Sequence, residues 1–127
     1  MKNSWEKKER RHYVRIEKPF IIAYYDKSDP DVKHNVSQLR NISMGGMAIV
    51  TAQAYAPETR IAIELKTPFI SDMIRIDGVV LESKEKIAGI IFETRLKFES
   101  LNPEATLVLK KIVETFLKIL EGKTYHG

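Results

Sequence analysis

The sequence predicts a small domain dominated by β-structure: a six-stranded antiparallel barrel followed by one C-terminal helix. Three observations predict it. Short apolar runs, rich in β-branched and aromatic residues, recur along most of the chain between clusters of turn residues. After Asn102 the apolar spacing switches from a period of two to a helical one. The 127 residues suffice for one hydrophobic core and not for two. Many short antiparallel strands in one such domain close into a barrel or stack as a sandwich, and the barrel is the reading we prefer.

The elements follow in order. Residues 1–9 read as a flexible, basic N-terminal segment, disordered or marginally helical, and 10–127 as the barrel domain. Phe20 to Tyr25 (FIIAYY) is the first long strand. Asp26 to Asp31 (DKSDPD) is a turn, since Asp and Ser favour turns and Pro30 excludes a regular helix. Lys33 to Ile42 is a more polar strand, and Met47 to Thr51 another beyond a glycine-containing turn. Ile61 to Lys66 alternates apolar and polar, as a half-buried strand should. In MIRIDGVVLES, Gly78 interrupts the alternation and predicts a bulge or bend. The polar SKEK, Ser83 to Lys86, is expected to be a hairpin loop, with Ile87 to Phe92 as a central strand. Asn102 suits an N-cap and Pro103 the first helical position. Ala105, Leu109, Ile112, Phe116 and Ile119 then make a stripe, widened by Val113, Leu117 and Leu120, and Gly122 suits the stop, giving a helix over about 102–121.

Composition narrows the function. Hydrophobic residues are 43% and charged residues 30%, ordinary for a soluble globular protein. No apolar run approaches the roughly 20 residues of a membrane helix, so no membrane insertion is expected. The charged N-terminus is not a secretory signal. With no cysteine, disulfides, thiol catalysis and thiolate metal sites are excluded, which fits a cytoplasmic location. His12, His34 and His126 lack metal-site spacing, and DKSDPD lacks the glycine and terminal glutamate of a calcium loop, so no metal is expected. Nothing assembles a nucleophile, a base and an oxyanion donor, so the chain does not read as an enzyme and no cofactor is implied.

Two short stretches remain as candidates for binding. The net charge is +4, and its excess gathers at the N-terminal end, where RRHYVR runs from Arg10 to Arg15. A guanidinium gives two parallel hydrogen bonds to a phosphate or to guanine O6 and N7, and its flat face stacks on a base. Arg11 and Arg15 are four apart and share a face on either a helix or a strand. The second stretch is NISMGG, Asn41 to Gly46. Asn41 donates and accepts, Ser43 offers a hydroxyl, and Gly45 and Gly46 bare their backbone N–H groups. Glycine also permits a positive φ, so by itself the stretch reads first as a tight turn and only second as a ligand loop.

Together the two stretches resemble the double signature of the PilZ domain family: R-x-x-x-R before the first strand, then N/D-x-S-x-x-G. Here they read Arg11-His-Tyr-Val-Arg15 and Asn41-Ile-Ser43-Met-Gly-Gly46, with Arg10 completing an arginine pair. The resemblance runs from about Glu9 to the helix, and IAGIIFE looks like the family's last barrel strand. It implies a PilZ-like six-stranded barrel and a receptor for cyclic di-GMP. Carried over by position, the ligand-binding residues are Arg11, Arg15, Asn41, Ser43 and Gly46, with Arg10 and Gly45 beside them. Asn41 keeps an acceptor but lacks a carboxylate's charge. The resemblance also implies an N-terminal segment that orders over the barrel when ligand binds and changes the surface a downstream protein partner meets. A domain of this size without an attached enzyme is expected to act through such a binding event. Two other readings stand beside this one. One is a protein-interaction module that binds no nucleotide, using the helix stripe, which also suits a homodimer seam, and Pro68 to Ile70. The other, less favoured, is a nucleic-acid-binding small barrel using the basic end with Tyr13, Tyr24 and Tyr25.

Overall fold

The computed structural model describes residues 14–15, 21–67 and 70–126, with the side chains of 14, 15, 70–72 and 122–126 undescribed. The expected lead-in 1–9, Arg10 and Arg11, and Pro68 and Phe69 lie outside the described residues. The elements are β1 (Val14–Arg15), β2 (Ile21–Asp26), β3 (His34–Asn35), β4 (Gln38–Ile42), β5 (Gly46–Thr51), β6 (Arg60–Thr67), β7 (Ile70–Ile87), β8 (Ile91–Ser100) and α1 (Pro103–His126). All pairings are antiparallel, in the order β1-β4-β5-β8-β7-β6-β2-β3.

That order explains why the sheet curls. β3 and β4 are consecutive in the chain yet lie near opposite ends of the sheet. Only Val36 and Ser37 join them, and the three Cα steps from Asn35 to Gln38 span about 11 Å at most. The ends of the sheet are therefore brought together, and the sheet wraps into a half-barrel. Val36 is buried at the crossing and donates its N–H to the Ile22 carbonyl at 2.8 Å. The expected single strand from Lys33 to Ile42 is thus two strands split at this crossing. Among the described residues the sheet counts eight strands rather than six because the two-residue β1 and β3 are paired as well.

Inward residues follow the alternation. Ile22 and Tyr24 of β2, Ile61, Ile63 and Leu65 of β6, Ile74 and Ile76 of β7, and Leu96 and Phe98 of β8 are all buried. Helix α1 closes this core with Ala105, Val108, Leu109, Ile112 and Phe116. Its start is fixed locally: the Asn102 side-chain oxygen accepts the Ala105 N–H at 2.7 Å, a cap that contributes about 1 kcal/mol. The expected stripe is largely inward, with Val108 added, while Leu117 and Leu120 face solvent. Gly122 does not end the helix, which runs on to His126. A glycine lowers helix stability by about 1 kcal/mol but stops a helix only when it takes the left-handed capping conformation.

One boundary differs by several residues. Ser83 to Lys86 are strand, not loop, and the β7–β8 turn is Ala88-Gly89-Ile90. Gly89 takes φ 70° there and donates its N–H to a Glu85 side-chain oxygen at 2.8 Å. IAGIIFE therefore straddles a turn. The polar run is tolerated in β7 because Ser83 joins a buried chain of hydroxyls while its neighbours face solvent. The Tyr55 N–H donates to Ser83 Oγ (3.0 Å), Ser83 Oγ lies 2.6 Å from Thr94 Oγ1, and Thr94 Oγ1 lies 2.8 Å from Thr51 Oγ1. Thr51 spends its only proton on the Gln53 carbonyl (2.9 Å), so Thr94 must donate to Thr51 and Ser83 to Thr94. The expected irregularity at Gly78 is present as a register shift between Asp77 and Gly78 against β8.

Candidate functional site

The NISMGG stretch is the hairpin between β4 and β5. The Ser43 N–H donates to the Gly46 carbonyl at 2.9 Å, and the Gly45 N–H donates to Ser43 Oγ at 3.2 Å. Neither glycine has a positive φ. The reason for Gly46 is contact: a Cβ there would lie 2.2 Å from the Leu96 carbonyl oxygen of β8. At Gly45 a Cβ would meet nothing nearer than Ser43 Oγ at 3.8 Å, so that position is open towards solvent. The two adjacent glycines therefore have different reasons to be there.

The hairpin opens onto a groove on the outer face of the sheet. It is lined by Asn41, Ser43, Gly45 and Gly46 on one side, and by Leu81, Arg95 and Lys97 on the other, with a volume of about 220 Å³. Register builds it. Asn41 pairs with Ala48, Ala48 with Arg95, and Arg95 with Glu82, a single row across β4, β5, β8 and β7. The row beside it pairs Gly46 with Lys97. The smallest residues thus fall on β5 and form a floor, and polar side chains of β4 and β8 form the walls. Two bulges add to the walls. A register shift between Leu39 and Asn41 turns Arg40 to the same outer face as Asn41, and one between Val80 and Glu82 exposes Leu81 beside Glu82.

A second groove of about 310 Å³ continues the first, sharing Asn41, Ala48 and Arg95 and adding Arg40, Glu82, Lys84, Lys86 and Glu93. Its charges divide into two groups. Glu93, only 8% exposed, is held between Arg40 Nε (3.1 Å) and Lys86 Nζ (3.4 Å), a compensated trio at the groove's edge. Among the described residues Arg95 makes one side-chain bond, from Nη1 to Glu82 Oε2 at 3.0 Å, and the two side chains are 55% and 45% exposed. Lys84 and Lys97 have no ion pair among the described residues.

Of the residues expected to bind, Asn41, Ser43, Gly45 and Gly46 line one groove, Gly46 in its floor. The backbone of Arg15 lies in β1, opposite Gln38 of β4, the strand that carries Asn41. Arg10 and Arg11 lie outside the described residues. Arg40, Arg95 and Lys97 were not singled out from sequence. Arg95 and Lys97 are some fifty residues from Asn41 in sequence, and only the β5–β8 pairing joins them. Other stretches have local roles. In DKSDPD, Asp26 Oδ1 accepts from the Ser28 N–H (2.9 Å) and hydroxyl (2.7 Å), a side-chain-closed turn. Lys27 pins that turn to Asp77 at 2.9 Å, and this hydrogen bond, with the charge of Arg75, holds the Asp77 carboxyl below the usual carboxylate range against a smaller effect of burial. Tyr24, a stacking group in the nucleic-acid reading, is 4% exposed and stacks on His34 instead. Burial and a hydrogen bond with Tyr55 raise its pKa.

The family model for the PilZ domain matches residues 9–115. No curated protein matches the chain. Among solved structures, the Bacillus subtilis inhibitor of motility (MotI/DgrA) is similar, with a TM-score of 0.55 and 16% identity over 84% of this chain and 51% of that one. At that identity the likeness is one of fold, and this chain spans about half the inhibitor's length. The match over most of its residues shows that the chain belongs to the PilZ domain family. No described helix is long and apolar enough to cross a membrane.

Proposed function

We propose that this chain is a cyclic di-GMP receptor and adaptor of the bacterial cytoplasm. Family membership supports the class, because PilZ domains are in general binding modules for this dinucleotide. The observation that carries the reading to residues is that Asn41, Ser43, Gly45 and Gly46 line one groove faced by Arg95 and Lys97. Such a groove offers an amide and a hydroxyl along one side and cations along the other, which suits a ligand with two phosphates and two guanines. β1 joins β4 antiparallel with Val14 opposite Leu39, two positions from Asn41. Arg10, Arg11 and Arg15 are proposed to close on the ligand from that side, ordering the N-terminal segment and altering the surface offered to a protein partner.

Isothermal titration calorimetry of the whole chain with cyclic di-GMP, with GMP as control, tests this. Saturable binding at micromolar or tighter affinity is expected, absent with GMP. Arg15→Ala should weaken it by about tenfold or more, since a charge-assisted hydrogen bond contributes roughly 1.5–3 kcal/mol. Ser43→Ala should cost less, because it removes one neutral group. No heat and no rise in melting temperature at high ligand would overturn the reading. Tighter binding to long polynucleotides, with steep salt dependence, would replace it with the nucleic-acid reading.

A further inference from the structure

We propose that Arg95 is a ligand-contacting residue of this groove and that Glu82 is its built-in competitor, exchanged for the ligand on binding. The inference deepens the cyclic di-GMP reading and rests on it. Four observations carry it, beginning with size. The part of the groove beside the NISMGG hairpin is about 220 Å³, below the roughly 300–1,000 Å³ of ordinary small-molecule sites. The adjoining groove, about 310 Å³, brings the space into that range, and Arg95 lines both parts together with Asn41 and Ala48. A ligand anchored on Asn41 and Ser43 that fills both parts crosses the Asn41–Ala48–Arg95 row, which Arg95 flanks.

The second observation is register. Asn41, Ala48, Arg95 and Glu82 occupy one cross-strand row. Strands lie about 4.8 Å apart, so the row runs about 14 Å from Asn41 to Glu82, with Arg95 about 10 Å from Asn41 across the small floor of β5. An anion lying over Ala48 would be within reach of the Asn41 amide and the Arg95 guanidinium at once. The third observation is the partnering of the cations. Arg40 and Lys86 are committed to the buried Glu93. Arg95, in contrast, uses one nitrogen on one oxygen of Glu82, and both side chains stay about half exposed. A guanidinium has five N–H donors, so the described residues leave most of its capacity unspent.

The fourth observation is the weakness of what would be given up. A singly bonded pair exposed to this degree contributes little to stability. The Glu82 carboxylate nevertheless holds Arg95 on the β7 side, where it mimics the anion that would replace it. A phosphate or a guanine edge, accepting two parallel bonds, would be the stronger partner. Release of Glu82 would also change the charge pattern over β7, next to Lys84, so that occupancy of the groove is reported on the sheet face as well as at the N-terminal segment.

The test is calorimetry with cyclic di-GMP on the wild-type chain, Arg95→Gln, Glu82→Gln and the double variant, with urea unfolding of each as the fold control. Arg95→Gln should weaken binding by about tenfold to a hundredfold. Glu82→Gln should strengthen it by about twofold to fivefold, because the competitor is removed. In the double variant the Glu82→Gln gain should vanish, since without Arg95 there is nothing to compete for. Wild-type binding with Arg95→Gln equally tight, or with Glu82→Gln unchanged or weaker, overturns the exchange and leaves the receptor reading standing. No binding by the wild-type chain overturns both.

Discussion

Two adjacent glycines allow the roles of shape and of ligand access to be separated by experiment. At Gly46 an added Cβ would lie 2.2 Å from the Leu96 carbonyl oxygen, and 3.2 Å and 3.3 Å from Leu96 C and Lys97 Cα. All three are backbone atoms of β8, so no side chain can swing away. Relief requires β5 and β8 to separate by about 1 Å near the hairpin. The Phe98 N–H to Gly45 carbonyl bond, now 2.9 Å, would stretch beyond hydrogen-bonding range. Losing that bond costs about 0.5–1.5 kcal/mol, and overpacking costs about 1–3 kcal/mol more. Gly46→Ala should therefore destabilise the domain by about 2–4 kcal/mol, a fall of about 10 °C in melting temperature. At Gly45 the same methyl meets only Ser43 Oγ at 3.8 Å, and φ is not positive. Gly45→Ala should leave stability within about 0.5 kcal/mol. It should still weaken cyclic di-GMP binding, because the methyl enters the groove. Urea unfolding followed by calorimetry on each variant makes the comparison. Gly46→Ala as stable as the parent, or Gly45→Ala as unstable as Gly46→Ala, would refute the assignment.

Two further outcomes follow from the hydrogen-bond geometry. Thr94→Val keeps the shape but cuts the directed chain from Tyr55 N–H through Ser83 and Thr94 to Thr51, leaving the Ser83 hydroxyl proton without its acceptor and Thr51 Oγ1 without its donor, so a loss of about 1–3 kcal/mol is expected in urea unfolding; an unchanged midpoint would mean the chain is not coupled as drawn. Asp77 has a folded pKa below its unfolded one, so its contribution is present above the ordinary carboxylate range and is lost as pH falls through the folded value. Its side chain is 41% exposed, which limits the contribution to about 1 kcal/mol or less. The stability difference between the parent and Asp77→Asn should be present at pH 7 and shrink below about pH 4; a difference that stays constant down to pH 2 would contradict the Lys27 pairing as its source.

Much of the fold was legible because the local signals agree with one another. FIIAYY, GMAIVT and IAIELK are β-branched or aromatic runs bounded by turn residues, and the described residues of each, which leave out Phe20, lie in strands close to the expected limits. Asn102-Pro103 named the helix start because cap and fixed φ act locally. The errors lie where a long-range partner overrides local chemistry. SKEK looked like a loop because four consecutive polar residues break the alternation. In the sheet two register shifts absorb the break, and Thr94 and Tyr55 give Ser83 an interior role. The split of Lys33 to Ile42 was hidden for a related reason. The polar stretch carries no turn residue pair, and only the two different partner strands show that the chain changes sides at Val36.

The candidate site was legible on one wall only, and the asymmetry has a physical cause. Asn41, Ser43, Gly45 and Gly46 form a single hairpin, so their spacing in sequence is their spacing in space. The facing wall has no such signature. Arg95 and Lys97 alternate with inward Thr94, Leu96 and Phe98, as solvent-facing residues of any half-buried strand do. What makes them part of a groove is that β5 presents Gly46 and Ala48 between the two walls. Gly46 is required there by the Leu96 carbonyl, so the contact that fixes β5 against β8 also lowers the floor over which Asn41 and Arg95 face each other. Sheet packing and the opening of the groove are thus one requirement at Gly46. For that reason loss of binding in a Gly46 variant would report on strand spacing first, and Gly45, Arg95 and Glu82 are the positions at which ligand contact is read without disturbing the barrel.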